Sequence, residues 1–356
     1  MSSISSPMQF AARQTATIMQ QVLLAATPAI LISTWFFGYS LIINLLVSSV
    51  LALAFEALAL KARGLPIKYH LADSSVLVTA LLFAVAVPPG SPWWLLGMGI
   101  GFAVALGKHV YGGLGHNVFN PAMAGYLFLL LAFPLEMTTW HLSEAALNLG
   151  SSASPLGLSA LLQNLQLTFP FLADSLDIDG LAMATPLIES KMSLQSAINR
   201  ALAEELPVLS RSAETGWEWI NIAFLAGGIF LLMTKKISWE SPFAMLATIV
   251  FLSLIFFDNG SSNSGGSPVM HLLGGATMIG AFFIITDPAS APSTSRGKII
   301  FGSIVGFFIY IIRVWGGYPD AIAFAVLLGN FSVPLIDRLT MGQISSKDFD
   351  KSTGQN

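Results

Sequence analysis

The chain alternates long apolar runs with short stretches that contain charged residues, glycine or proline. Ten apolar runs are bounded in this way, at about residues 22–38, 40–60, 73–87, 92–109, 121–134, 217–234, 242–257, 269–286, 299–315 and 320–336. Several are shorter than the ~20 residues that a helix needs to cross a bilayer. Short helices are tolerated where they are buried in protein or belong to broken helices. The pattern therefore predicts an all-α membrane protein with about ten transmembrane helices.

The runs fall into two groups of five, separated by one long polar loop. Because five is odd, the two groups would cross the membrane in opposite directions, which predicts two inverted repeats. The short runs 73–87 and 269–286 occupy corresponding places, and a proline-containing turn follows each. Paired short helices of this kind predict a site at the repeat interface, near the membrane midplane. The predicted divisions are a first repeat (1–134), a loop (135–216), a second repeat (217–340) and a tail (341–356).

Composition agrees with lipid as the surrounding solvent. The chain is 54% hydrophobic and 10% charged, whereas soluble domains contain about 25% charged residues. The chain has no cysteine. Thiolate-held iron–sulfur clusters, zinc sites with cysteine ligands and disulfides are therefore excluded on this chain, but clusters on a partner are not. The histidines show no ligand spacing, so no metal site is predicted.

The distribution of basic residues predicts the orientation. With the N-terminus in the cytoplasm, twelve of the sixteen Lys and Arg residues fall in cytoplasmic segments, since only Lys191, Arg200, Arg211 and Arg313 fall outside. An excess of Lys and Arg in cytoplasmic segments is the usual pattern in membrane proteins. We therefore predict a multi-pass protein of the bacterial inner membrane, with both termini in the cytoplasm and residues 135–216 in the periplasm.

Three polar stretches, 112–123, 286–297 and 313–320, interrupt this apolar pattern. In the simplest interpretation they are tight loops that cap helices, with Asn120 as one N-cap. Ionisable residues near the membrane tend to mark a pathway or an ion pair. Asp73 and Asp287 adjoin the two short runs and are the candidates for an ion pathway. Glu56, by contrast, is interpreted as a side chain that reaches the interface.

These stretches closely resemble the D subunits of Rnf (Rsx) ion-translocating electron-transport complexes, and more distantly the B subunits of sodium-pumping NADH:quinone reductases. The resemblance is carried by Phe119–Met123, Thr286–Gly297, Arg313–Asp337 and Asp73–Ser75, and it spans nearly the whole chain. It implies a flavin-carrying subunit that has no catalysis of its own. The complex would couple electron transfer between NADH and ferredoxin, or another low-potential acceptor, to Na⁺ or H⁺ translocation. The implied partners are the A, B, C, E and G subunits, some with iron–sulfur clusters, a flavin transferase and membrane lipid, with no nucleic acid.

The resemblance also implies two flavins. Family members carry FMN joined through its phosphate to a threonine hydroxyl, and the attachment pattern matches Asp179, Ala184 and Thr185 in register. Ala182 and Met183 depart from the usual hydroxyl residue and glycine of that pattern. The second implied cofactor is a noncovalent riboflavin among the helices, to which Asn120, Thr286 and Asp287 are expected to contribute.

Two alternatives remain open at this point. Composition and topology fit a channel or secondary transporter built from inverted repeats equally well, with a small solute as cargo and no redox chemistry. The departures at Ala182 and Met183 also leave room for a structural subunit that has lost its flavin. A flavin acceptor at Thr185 distinguishes both from the flavin-carrying subunit.

Overall fold

The computed structural model describes residues 7–141, 157–172, 182–183, 216–257, 265–316, 318 and 321–352. Helices account for most of them. The first half of the chain contains α1 (Pro7–Phe37), α2 (Ser40–Ala62), α3 (Ile67–Leu71), α4 (Ser75–Ala86), α5 (Trp93–Phe102), a π-helix (Ala103–His109), α6 (Pro121–Ala132) and α7 (Pro134–Thr138).

The described part of the loop contains four short elements, and the second half is again mainly helical. The loop contains β1 (Trp140–His141), α8 (Leu158–Thr168), a 3₁₀ turn (Pro170–Leu172) and β2 (Ala182–Met183). The second half contains α9 (Trp217–Met233), α10 (Glu240–Ile255), α11 (Pro268–Leu273), α12 (Thr277–Ile279), a second π-helix (Gly280–Ile284), α13 (Ser295–Trp315) and α14 (Ile322–Ser352).

Several helices have the length and composition of membrane spans. Four described stretches are long and apolar enough to cross a bilayer: Thr15–Phe37, Ser40–Ala62, Ser295–Trp315 and Ile322–Met341. Four shorter helices, α4, α6, α9 and α10, are also apolar. Large apolar side chains such as Leu46, Phe251 and Phe331 are exposed by 60%, 62% and 68% on the outside of the bundle. Lipid rather than water suits such a surface, so the helices fit a multi-pass membrane protein.

Every predicted run overlaps a helix, but two runs are not single α-helices. Run 92–109 is α5 followed by a π-helix, in which Val110 N–H donates to Ala105 O. Run 269–286 breaks between α11 and α12, where Gly275 has a φ of 91° that disfavours side chains. The apolar pattern does not reveal the π-helix, because its residues are as apolar as those of α5. It does not reveal the break at Gly275 either, because apolar residues continue on both sides of it.

The two halves pack along one shared core. Helix α1 packs along α9, and α6 packs against α14, so helices of the first half contact helices of the second half. Short helices α4 and α12 lie within this core, where Phe83 of α4 and Thr277 of α12 are fully buried. Helix α14 continues without interruption past residue 340 to Ser352, so the predicted boundary between the second repeat and the tail does not coincide with a helix end.

Candidate functional site

A cavity of about 160 Å³ lies between the helices of the two halves, and several polar side chains line it. We call it the polar cavity. Three of the residues that the sequence singled out, Asn120, Thr286 and Asp287, line it together. Other lining residues include Met19, Ser75, Thr79, Lys108, Asn117, Lys236, Phe282 and Phe283.

Asn120 links the two halves beside this cavity. Its side-chain Oδ1 accepts a hydrogen bond from Met123 N–H at 3.2 Å, so it does cap the start of α6. Its own N–H donates to Asn330 Oδ1 at 3.2 Å, and Asn330 Nδ2 donates to Ser290 O at 2.9 Å. The Asn120 Nδ2 group has only a long contact of 3.5 Å to Ile284 O. Its amide therefore retains hydrogen-bonding capacity toward a molecule in the cavity.

Thr286 and Asp287 form the opposite wall, at the end of the second π-helix. Thr286 Oγ1 donates to Phe282 O at 2.8 Å. The Asp287 carboxylate accepts from Ala289 N–H at 3.2 Å and from Ser290 Oγ at 2.9 Å. A carboxylate has about four lone-pair sites, so Asp287 can still accept from a bound group.

Asp73 reaches the polar cavity only indirectly. Its carboxylate Oδ1 accepts from the N–H of Ser75 at 2.8 Å and from Ser75 Oγ at 2.6 Å, at the start of α4. Ser75 lines the cavity, whereas Asp73 does not. The structure thus brings Asp287 into the site and places Asp73 behind Ser75.

Sequence reasoning missed a buried charge network beside the same cavity. Lys108 Nζ donates to Glu56 Oε1 at 2.8 Å and to Ser75 Oγ at 3.0 Å. The second Glu56 oxygen lies 2.9 Å from His109 Nε2, and Arg63 contacts His109 Nδ1 at 3.1 Å. Glu56 is 3% exposed, so its interpretation as an interfacial side chain is wrong. The available signal was its position within the apolar run 40–60, where a lone carboxylate requires a partner.

A second cavity, of about 80 Å³, lies at the other end of the same helix interface. We call it the aromatic cavity, because Phe37, Trp140, Trp217, Tyr126 and Phe224 all line it. Val22 of α1 lines the polar cavity and Ser33 lines the aromatic one, a separation of about 16 Å along the helix. The two cavities therefore lie at different depths of the bundle.

The covalent attachment site predicted from the sequence is not described by the structure. Asp179, Ala184 and Thr185 lie outside the described residues. The nearest described residues form strand β2, which pairs antiparallel with β1 so that Met183 lies opposite Trp140 and Ala182 opposite His141. The strand pair therefore joins residues 182–183, within the predicted attachment segment, to a residue that lines the aromatic cavity.

Comparison with known proteins covers nearly the whole chain. The model of the NQR2, RnfD, RnfE family matches residues 2–345. The chain is 45% identical over 337 residues to the D subunit of the ion-translocating oxidoreductase complex of Ectopseudomonas mendocina, covering 95% of this chain and 93% of that protein. It is 46% identical over 347 residues to the protein of the same name from Vibrio cholerae serotype O1, covering 94% and 96%. A third, from Klebsiella pneumoniae, is 44% identical over 352 residues, covering 96% and 97%.

Proposed function

Because this chain belongs to the NQR2, RnfD, RnfE family, we propose that it is the membrane-embedded D subunit of an ion-translocating oxidoreductase complex and that it carries two flavins. The relatives that match it over more than 90% of its length have that name. A subunit of such a complex contributes cofactors and an ion pathway, and it needs the other subunits for turnover. A bound flavin accepts and releases electrons one or two at a time, while the protein sets its position and electrostatics.

The polar cavity is the proposed site of the noncovalent flavin, riboflavin. The observation that carries this assignment is that residues far apart in sequence, Asn120 from one half and Thr286 and Asp287 from the other, line one cavity. The edge of the flavin ring system offers both hydrogen-bond donors and acceptors. The Asn120 amide and the Asp287 carboxylate supply the complementary groups, and Phe282 and Phe283 supply apolar surface for the ring faces.

Lys108 adds a positive charge to the same wall. It is held in place by Glu56 and Ser75, and a lysine ammonium has three donors. Because Glu56 compensates its charge, Lys108 contributes to the cavity mainly as a hydrogen-bond donor, with one ammonium N–H left beyond those given to Glu56 and Ser75.

Thr185 is the proposed acceptor of covalent FMN. Asp179, Ala184 and Thr185 match the attachment pattern in register. Pro186 favours an extended backbone at Thr185, which suits presentation of the hydroxyl to a flavin transferase. In the proposed orientation the loop 135–216 is periplasmic, both termini are cytoplasmic, and the membrane is the bacterial inner membrane.

The proposal of two inverted repeats is supported by matching contacts in the two halves. Lys108 Nζ donates to Ser75 Oγ at the start of α4, at 3.0 Å. Arg313 donates to Thr277 Oγ1 at the start of α12, at 2.8 Å. In each half, therefore, a buried cation that follows the short helix along the chain donates a hydrogen bond to a hydroxyl at the start of that helix. A repeat accounts for both contacts.

The electron partners are proposed from the same assignment. This chain has no cysteine for an iron–sulfur cluster, so cluster-bearing proteins among the A, B, C, E and G subunits would pass electrons to and from it. The complex would connect NADH with ferredoxin or another low-potential acceptor, and it would move Na⁺ or H⁺. Asp287 in the cavity wall and Asp73 behind Ser75 are the proposed ion-pathway groups.

Flavin analysis of the purified complex tests the assignment. Wild type should give a band that fluoresces after denaturing electrophoresis, and Thr185→Val should abolish that fluorescence, because valine keeps the shape and lacks the acceptor oxygen. Acid extraction should release noncovalent riboflavin from wild type and from Thr185→Val alike. A wild-type protein that is dark when made with a transferase, and that moves a solute as a purified monomer, would instead identify a transporter.

The polar cavity needs its own test. Thr79 lines it, and Thr79→Phe would fill part of it. We expect this variant to lose extractable riboflavin while the covalent flavin remains. Ser332→Phe is the matched control, because Ser332 lines an open groove on the outside of the bundle. Full riboflavin content in Thr79→Phe would place the noncovalent flavin elsewhere.

A further inference from the structure

Helix α8 is fixed to the bundle by one of its faces. Asn164 Oδ1 accepts a hydrogen bond from the hydroxyl of Ser40, the first residue of α2. Leu167 lies against the turn between α4 and α5, where a Cβ added to Gly90 would be 3.3 Å from Leu167 Cδ1. Asn164 and Leu167 are each 8% exposed, and Thr168 is fully buried. These contacts determine which side of α8 faces the protein.

The side of α8 opposite this face is apolar and exposed. Leu158 and Leu162 are one turn apart and therefore neighbours on the helix surface, and they are 73% and 53% exposed. The 3₁₀ turn that follows adds Phe171 and Leu172, which are 73% and 54% exposed. We call these four side chains the apolar edge. Residues 145–173 contain no Lys, Arg, Asp or Glu, although a helix surface that faces water normally carries charge.

A third side of α8 is polar. Ser159, Gln163 and Gln166 follow one another at spacings of four and three residues, which places them along one side of the helix. Ser159 is exposed and the two glutamines are partly exposed. At 3.6 residues per turn, this strip lies between the buried face and the leucines. Helix α8 thus has one side for the bundle, one that suits an apolar medium and one that suits water.

The docking contacts place α8 at one boundary of the membrane-spanning region. Ser40 is the first residue of the span Ser40–Ala62. Exposed tryptophans mark the same end of the bundle: Trp35, just before the end of α1, is 60% exposed, and Trp93, three residues after Gly90, is 44% exposed. Tryptophan is enriched where membrane and water meet. Helix α8 therefore lies at the depth where lipid head groups meet acyl chains.

We propose that α8 and the 3₁₀ turn form an interfacial segment whose apolar edge is buried in the lipid leaflet at the end of the bundle where α2 begins. Interfacial helices place an apolar side in the boundary between head groups and acyl chains and a polar side in water. The strip from Ser159 to Gln166 supplies the polar side. The segment holds this part of the long loop against the membrane.

Lipid fits the apolar edge better than a partner subunit does. Protein interfaces combine an apolar centre with a polar rim and form about one hydrogen bond per 100–200 Å², whereas none of the four side chains of the apolar edge can form a hydrogen bond. The helix that holds α8 is itself part of the lipid-facing surface, since Leu46 of α2 is 60% exposed. The apolar edge extends that surface to the boundary of the membrane.

Site-directed fluorescence of the full chain in lipid nanodiscs tests the inference. The natural chain has no cysteine, so Leu162→Cys can be labelled at one position with the fluorophore NBD. Lipids with brominated acyl chains should quench this label to an extent comparable with a label at Leu46→Cys, the lipid-facing reference. Iodide in water should quench it several-fold less than a label at Lys61→Cys, which is exposed at the end of α2. The labelled variant should keep the wild-type unfolding midpoint, because Leu162 lies away from the Asn164 contact.

Ser159→Cys is the matched control on the same helix. Its label should respond to iodide several-fold more than the Leu162→Cys label and to brominated lipid less. Iodide quenching without brominated-lipid quenching at Leu162→Cys would show that the apolar edge faces water, and protection from both would show that protein covers it; either result would overturn the inference. A photoreactive benzoylphenylalanine at position 162 in the assembled complex should give no protein crosslink, and a crosslink to another subunit would identify a docking surface instead.

Discussion

Lys108 is a charged side chain that the fold can hold only with partners. It is 3% exposed, as is Glu56, and the 2.8 Å contact between them joins the first π-helix to α2. Glu56→Gln or Lys108→Met alone would leave one buried charge without its counterion. Loss of one partner of a buried pair costs about 3–5 kcal/mol. We expect each single variant to lower the thermal unfolding midpoint of the purified protein strongly.

The double variant Glu56→Gln and Lys108→Met separates charge from packing. Both charges are removed together, so its midpoint should lie closer to wild type than that of either single variant. Lys61→Met serves as the control, because Lys61 is exposed at the end of α2 and its loss should change the midpoint little. Additive losses in the double variant would mean that the two groups do not stabilise each other.

Helices α5 and α6 approach closely because glycine occupies their contact. A Cβ at Gly99 would lie 2.6 Å from Leu129 Cδ1 and would also overlap the Phe83 ring, whereas a Cβ at Gly97 would lie 3.8 Å from Leu51 Cδ1. Both glycines are on α5. Overpacking of a core costs about 1–3 kcal/mol, so Gly99→Ala should lower the unfolding midpoint. Gly97→Ala should not, and it gains the helix preference of alanine. Equal midpoints for the two variants would contradict the close packing.

The elements also show what apolar periodicity can and cannot reveal. Runs such as 40–60 and 121–134 predicted α2 and α6 to within a few residues, since charge and proline bound them. The break at Gly274–Gly275 and both π-helices were missed, because they depend on local hydrogen bonding such as Ile285 N–H to Gly280 O. Helix α14 was predicted to end too early, since its last turns are polar and the pattern follows only apolar residues.

At the scale of the whole molecule, the candidate site was predictable only in part. Asn120, Thr286 and Asp287 stood out as polar residues beside apolar runs, and they do line one cavity. The Glu56–Lys108 pair did not stand out, because its members are 52 residues apart and only the packed bundle brings them together. The aromatic cavity was invisible for the same reason: Phe37, Trp140 and Trp217 come from three separate segments, and each alone is an ordinary apolar residue.

The orientation of the bundle is the prediction that the flavin assignment depends on most. Cysteines can be introduced one at a time, because the natural chain has none. Cysteine at Ser175 or Ser262 should react with a membrane-impermeant thiol reagent outside intact spheroplasts, since both lie in segments predicted to be periplasmic. Cysteine at Ser345, in the last turns of α14, should react only after the membrane is opened. The control is each variant after detergent treatment, where all three must react. Protection of the Ser175 position from outside would reverse the orientation, and Thr185 would then face the cytoplasm, away from a periplasmic flavin transferase.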